Sequence, residues 1–115
     1  MVHGFSGTSE ALGRYVALDC HIGLTGWTCD ERRGTHLREL VPRSPKDRVM
    51  IETDAPYILP RDIRPEPSAN RNEPSLLPWP RVLRAVAKAR GETAEELTRA
   101  TTETANAFFG ITDRA

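Results

Sequence analysis

Glu52 and Asp54 stand two positions apart, directly behind the apolar run Val49-Met50-Ile51. Side chains alternate along an extended strand, so Met50, Glu52 and Asp54 point one way while Ile51 and Thr53 point the other. Two carboxylates therefore share a face. Uncompensated on a buried parallel strand, they would cost several kcal/mol or change protonation state. A divalent cation or a set of strong donors removes that cost. So does a position just past the buried part of the strand, where water solvates both groups, and these residues alone leave both readings open. His3 is a further candidate ligand. It lies in Val2-His3-Gly4-Phe5, a short apolar segment closed by Ser6-Gly7, where a lone histidine is more often a hydrogen-bonded structural residue than a ligand.

Other chemistries find less support. Cys20 and Cys29 are separated by eight residues, and His21 and His36 do not complete the paired spacing of a zinc finger, so two reduced thiols are expected. Sixteen basic and sixteen acidic residues cancel, which excludes a bulk field for polyanions and makes any nucleic-acid contact local. With 38% hydrophobic and 28% charged residues, the 115-residue chain has the composition of a folded protein. Its apolar runs fall well short of the ~20 residues of a membrane-spanning helix, and Met1-Val2-His3-Gly4 has no signal-like core. No membrane partner is expected, and the cytoplasm is the expected compartment.

The elements that must position these residues alternate between strand and helix. Val2 to Phe5 reads as a strand. A helix follows, with Thr8 and Ser9 as candidate caps and Ala11, Leu12, Tyr15, Val16 and Leu18 as its apolar stripe. His21 to Trp27 is a second strand-like segment, whose glycines suggest a close backbone approach. Thr35 to Val41 fits a short helix ended by Pro42 and Pro45. Val49 to Asp54 is the third strand. A long Pro- and Arg-rich loop over 57–75 comes next, and loops of that length are usually functional or disordered. Two helices close the chain: Pro80 to Arg90, with Val82, Leu83, Val86 and Ala87 inward, and Ala94 to Phe109. The second has Thr93 and Glu96 as a capping box, Leu97, Ala100, Thr104 and Phe108 as its stripe, and Gly110 as C-cap. The alternation predicts three parallel strands joined by right-handed crossovers.

Five segments, in order and spacing, carry a resemblance: Val2-His3-Gly4-Phe5-Ser6-Gly7; Ile22-Gly23-Leu24-Thr25-Gly26-Trp27; Asp30-Glu31-Arg32-Arg33-Gly34; Ile51-Glu52-Thr53-Asp54-Ala55-Pro56-Tyr57; and Arg71-Asn72-Glu73-Pro74. From Val2 to about Ile111 the chain resembles the TatD family of metal-dependent deoxyribonucleases. The resemblance implies an α/β fold of the TIM-type (β/α)8 kind, incomplete here, with the strands of this chain as the sixth, seventh and eighth. Active sites of that fold lie at the C-terminal ends of the strands. It implies His3 and Asp54 as metal ligands, magnesium or manganese as the metal, and Asp54 as the catalytic base for a water attacking a phosphodiester of DNA. Glu52 would support the ligands from behind. Arg71 and Asn72, on the 57–75 loop over the barrel mouth, would contact phosphate or sugar, and Trp27 would offer a stacking face. Arg71 paired with Glu73 would equally pin the loop, and Arg32 with Arg33 reads as a solvated or loop-anchoring pair. Gly4, where the family usually has cysteine, and Thr104, where it usually has asparagine, depart from the pattern.

The family's His-X-His pair on the first strand, its glutamate on a middle strand and its histidine on the fifth have no counterpart among these residues. Met1 directly before the strand resembles an internal residue used as a start, as in a truncated gene or a mis-assigned start. The whole of 1–115 is expected to be the C-terminal part of a hydrolase barrel, inactive alone. It would pair with a separately encoded N-terminal half or self-associate, because three parallel strands leave two edges and an inner face open. Two alternatives are a non-catalytic remnant or interaction module, and a metal-dependent hydrolase of another substrate.

Overall fold

The computed structural model describes residues 1–30, 32, 34–52 and 81–111. Asp54, Arg71, Asn72 and the 57–75 loop lie outside the described residues.

Helix α1 spans Ser9–Ala17. Thr8, in extended conformation, accepts from the Ala11 N–H and so satisfies one of the donors that every helix start leaves open. Strand β1, Ile22–Leu24, is fully buried and runs into a 3-10 turn over Gly26–Cys29. The expected strand through Trp27 is therefore shorter, because the Thr25 hydroxyl accepts from the Trp27 N–H and turns the chain. Helix α2, Gly34–Leu40, gives way to a 3-10 turn at Val41–Arg43, where Pro42 cannot continue an α-helix. Strand β2 is Val49–Ile51. Helices α3, Arg81–Arg90, and α4, Ala94–Phe109, follow. The α4 start is the expected capping box: Thr93 accepts from the Glu96 N–H, and Glu96 accepts from the Thr93 N–H. Gly110 ends the helix at φ +67°, a left-handed conformation that costs glycine little.

β1 and β2 are parallel, with Ile22 opposite Val49, Gly23 opposite Met50 and Leu24 opposite Ile51. The expected first strand, Val2 to Phe5, is reduced to a single parallel bridge between Val2 and Ile22. Val2 N–H donates to the His21 carbonyl at 2.7 Å, and the Val2 carbonyl accepts from Gly23 N–H at 2.9 Å. Pairing is interrupted there because Gly4 turns at φ +59°, and it resumes in one bond from Phe5 N–H to the Gly23 carbonyl. The sheet thus keeps the expected parallel order with less regular strand.

One face of the sheet carries Ile22, Leu24 and Val49, which join Phe5, Leu12, Leu37, Val41, Val82, Val86, Ala87 and Leu97 in one apolar cluster, with Val2 and Ile51 packed against it. The helices cover this face, and its burial drives their docking. Alternation along the strands then puts His3, Gly23, Met50 and Glu52 on the other face. Leu18 departs from the expected apolar stripe. It caps α1 rather than belonging to it and is 73% exposed. Phe108, also expected inward, is 40% exposed, while Thr101 takes the buried place in α4 beside Leu97 and Thr104.

Two arginines fasten the connections between these elements. Arg38 donates to the carbonyls of Thr28 and Asp30 at 2.9 and 3.0 Å, holding the turn after β1 onto α2. Arg90, at the end of α3, donates to the carbonyls of Val41 and Ser44 at 3.0 and 2.8 Å. A guanidinium presents several donors in a fixed fork, which suits carbonyls left over at the ends of short helices.

Candidate functional site

Glu52 is the first residue past β2, and its backbone N–H still pairs with the Leu24 carbonyl at 2.9 Å. That last bond of the ladder aims the side chain over the face opposite the helices. There Glu52 Oε2 lies 2.6 Å from His3 Nδ1, and Oε1 accepts from the Gly4 N–H. One carboxylate therefore holds both the imidazole and the backbone turn behind it. The Glu52 side chain is 15% exposed and that of His3 is 54% exposed, so the pair stands at the edge of the buried region with its imidazole toward solvent.

Gly23 makes this arrangement possible. A Cβ built at that position would stand 2.6 Å from the Glu52 carboxyl carbon, closer than real Cβ contacts come. The glycines of the second strand suggested a close approach, and the approaching group is the Glu52 carboxylate.

The site lies past the C-terminal ends of the strands: His3 follows the Val2 bridge and Glu52 follows Ile51. Imidazole and carboxylate are both donors that suit a divalent cation. A histidine that gives one ring nitrogen to a carboxylate has its tautomer and ring orientation set, as metal-ligating histidines commonly do. The residues present in this way fit a metal ligand and its support. Among the described residues, no group of three or more His, Cys, Asp or Glu side chains gathers closely enough to hold a metal ion.

Other candidates are placed elsewhere. Trp27 is half-buried in the 3-10 turn after β1 and packs against the apolar cluster, which takes part of its ring away from stacking. His36 Nε2 donates to the Ser6 carbonyl at 3.3 Å, a structural contact. His21 sits at the opposite end of β1, with its ring 4.9 Å from that of Phe108. Burial and then the nearby Arg48 disfavour its protonated form and lower its pKa. Arg48 itself makes two 2.9 Å bonds to the Asp19 carboxylate, which hold Asp19 below the usual carboxylate range. Arg32 is exposed, and its N–H donates to Asp30 Oδ1. Sequence reasoning missed the Gly4 N–H as a partner of Glu52, since a backbone donor leaves no mark in residue type.

A parallel α/β sheet, with helices over one face and polar side chains gathered past the C-terminal ends of its strands, is the layout of α/β enzymes. The chain belongs to the TatD related DNase family, whose model matches residues 1–110. It is 50% identical over 111 residues to the 3'-5' ssDNA/RNA exonuclease TatD of Pantoea vagans, a match covering 96% of this chain and 42% of that protein. The exonuclease of the same name from Escherichia coli is also 50% identical, with the same coverage. Among solved structures, the TatD homolog YJJV of Escherichia coli superposes with a TM-score of 0.79 at 27% identity, over 96% of this chain and 40% of that one. A TatD family hydrolase from Entamoeba histolytica shares the fold, with a TM-score of 0.73 at 22% identity over 91% of this chain and 40% of that one. The chain thus spans about two-fifths of the length of these relatives.

Proposed function

We propose that this chain is the C-terminal part of a metal-dependent nuclease of the TatD type, hydrolysing phosphodiesters of single-stranded DNA once the rest of the barrel is present. The observation that carries the reading is the Glu52 carboxylate set against His3 Nδ1 past the strand ends. His3, through Nε2, and Asp54 are the residues that would hold the metal. With magnesium or manganese bound there, the ion would supply polarisation of the phosphoryl group and neutralise developing charge. Glu52 fixes the His3 ring, Asp54 takes the proton of the attacking water, and Arg71 and Asn72 hold phosphate or sugar. Trp27 offers the exposed part of its ring to a base.

Two protein ligands hold a hard cation loosely, with water completing its shell, so the chain alone is inactive in this reading. The relatives are named as exonucleases on single-stranded DNA and RNA, which supports a single-stranded substrate. No described helix is long and apolar enough to cross a membrane.

The test is reconstitution. This chain is mixed with the portion of the Pantoea vagans relative that it does not match, and nucleotide release from single-stranded DNA is followed with manganese or magnesium and again with EDTA. Metal-dependent release that Asp54→Ala abolishes is expected. Release that persists unchanged in Asp54→Ala would sink the mechanism.

A further inference from the structure

Gly34 and Arg38 close around the 3-10 turn that follows β1. Arg38 Nη1 donates to the carbonyls of Thr28 and Asp30, which lie ten and eight residues back along the chain. A Cβ at Gly34 would stand 2.6 Å from that same Nη1 and 2.6 Å from the Trp27 carbonyl, so glycine is what lets guanidinium and turn crowd together. Within the turn, Thr25, Gly26 and Thr28 are buried while Trp27 is half-buried. The Thr25 hydroxyl accepts from the Trp27 N–H, and its methyl lies beside Gly4, where an added Cβ would meet it at 4.0 Å. Gly4 is the residue whose N–H the Glu52 carboxylate takes. The turn is thus tied to the His3–Glu52 pair on one side through Thr25, and to α2 on the other through Arg38.

We infer that Arg38 is a positioning residue for single-stranded DNA: its clamp on the Thr28 and Asp30 carbonyls holds the Trp27 ring where a base can stack on it, beside the His3–Glu52 pair. The inference rests on the proposed reading in which Trp27 meets a base, and it names what holds the ring ready. A chain with no net charge has no bulk attraction for a polyanion, so binding depends on local platforms. A platform fixed before the base arrives loses less freedom on binding than one that must first be ordered. Arginine suits the task because Nη1 carries two N–H groups in a fixed plane and gives one to each carbonyl. A lysine ammonium keeps the charge as a point on a flexible stem and loses that geometry. Arg90 makes the same kind of clamp on a different turn, through the Val41 and Ser44 carbonyls. It therefore separates positioning of Trp27 from plain stabilisation of the fold.

The experiment titrates the full chain with hexathymidylate in metal-free, low-salt buffer, followed by NMR at the Trp27 indole N–H, whose signal is assigned by its loss in Trp27→Phe. The indole signal should shift, and Trp27→Ala should weaken binding at least about fivefold, the low end for a base stacked on an aromatic ring. Arg38→Lys should weaken binding about two- to tenfold, as expected when one side chain must be ordered on binding, and should broaden the indole signal of the free protein. Arg90→Lys should leave both readouts as in the parent. If Arg38→Lys loses its helical circular dichroism, Gly34→Ala, which crowds the guanidinium without removing its charge, carries the same expectation. No shift at the indole, or Arg90→Lys weakening binding as much as Arg38→Lys, would overturn the proposal. Arg38→Lys binding like the parent while Trp27→Ala does not would overturn it too, yet leave Trp27 as a stacking face. Weakened binding in Arg38→Lys, with no nucleotide release from the reconstituted protein, would sink the nuclease reading and leave the positioning role standing.

Discussion

Glu52 holds His3 across 49 positions of sequence, with Oε2 placed 2.6 Å from Nδ1, while its other oxygen takes the N–H of Gly4. The two residues meet because parallel pairing brings the Val2 bridge, β1 and β2 side by side, and because Gly23 between them has no side chain. What Glu52 does for His3 is orientation, and orientation can be measured.

In the reconstituted protein, Glu52→Gln should weaken manganese binding by roughly 10–100-fold, the usual effect of removing the carboxylate behind a ligating histidine. Calorimetric titration with manganese reads it directly. Affinity unchanged from the parent would show that Glu52 does not support His3 as a ligand.

Gly23→Ala should displace the Glu52 carboxylate, since the added methyl occupies its space. A cost of at most about 1 kcal/mol is expected, since the group that must give way is the end of a flexible side chain at the edge of the structure rather than a filled core. Urea unfolding gives the energy, and the His3 ring resonances report whether its carboxylate contact is lost. A stable variant with unshifted His3 resonances would contradict the geometry described.

Thr93→Ala removes the side-chain acceptor for the Glu96 N–H and half of the capping box of α4. A loss of about 1 kcal/mol is expected. Leu97→Ala, inside the apolar cluster and 1% exposed, should cost more, about 2–5 kcal/mol, because it also leaves a cavity. The order of the two losses in urea unfolding checks that α4 is held mainly by packing.

Acid should weaken the fold in two windows. Asp19 is held below the usual carboxylate range by Arg48, so its contribution is present above about pH 3.9 and is lost as the pH falls through its lower folded pKa. For His21, burial and Arg48 lower the folded pKa, so protons favour the unfolded chain and stability declines as the pH falls below about 6.5. Both effects are small, since the groups are largely solvated. His21→Gln should flatten the Tm profile on acidification below about pH 6.5, and Asp19→Asn should matter at neutral pH and progressively less as the pH falls below about 3.9. A Tm that rises on acidification in the parent, and not in His21→Gln, would reverse the sign argued here.

The sequence by itself determined the helices, their caps and the family. Helix starts and stops are written in residues within four positions of one another, so Thr8, the Thr93–Glu96 box and Gly110 were legible without any knowledge of packing. The strand segments and the shared face of Met50 and Glu52 were legible from alternation. Only the tertiary structure decided which carboxylate meets His3, that the first strand survives as a single bridge, and that Arg38 and Arg90 fasten turns by their carbonyls. It also left Leu18 in solvent, although its place on the α1 stripe suggested burial. Those outcomes depend on where backbones far apart in sequence come to lie, and a guanidinium or carboxylate finds its partners only once the sheet and helices have docked.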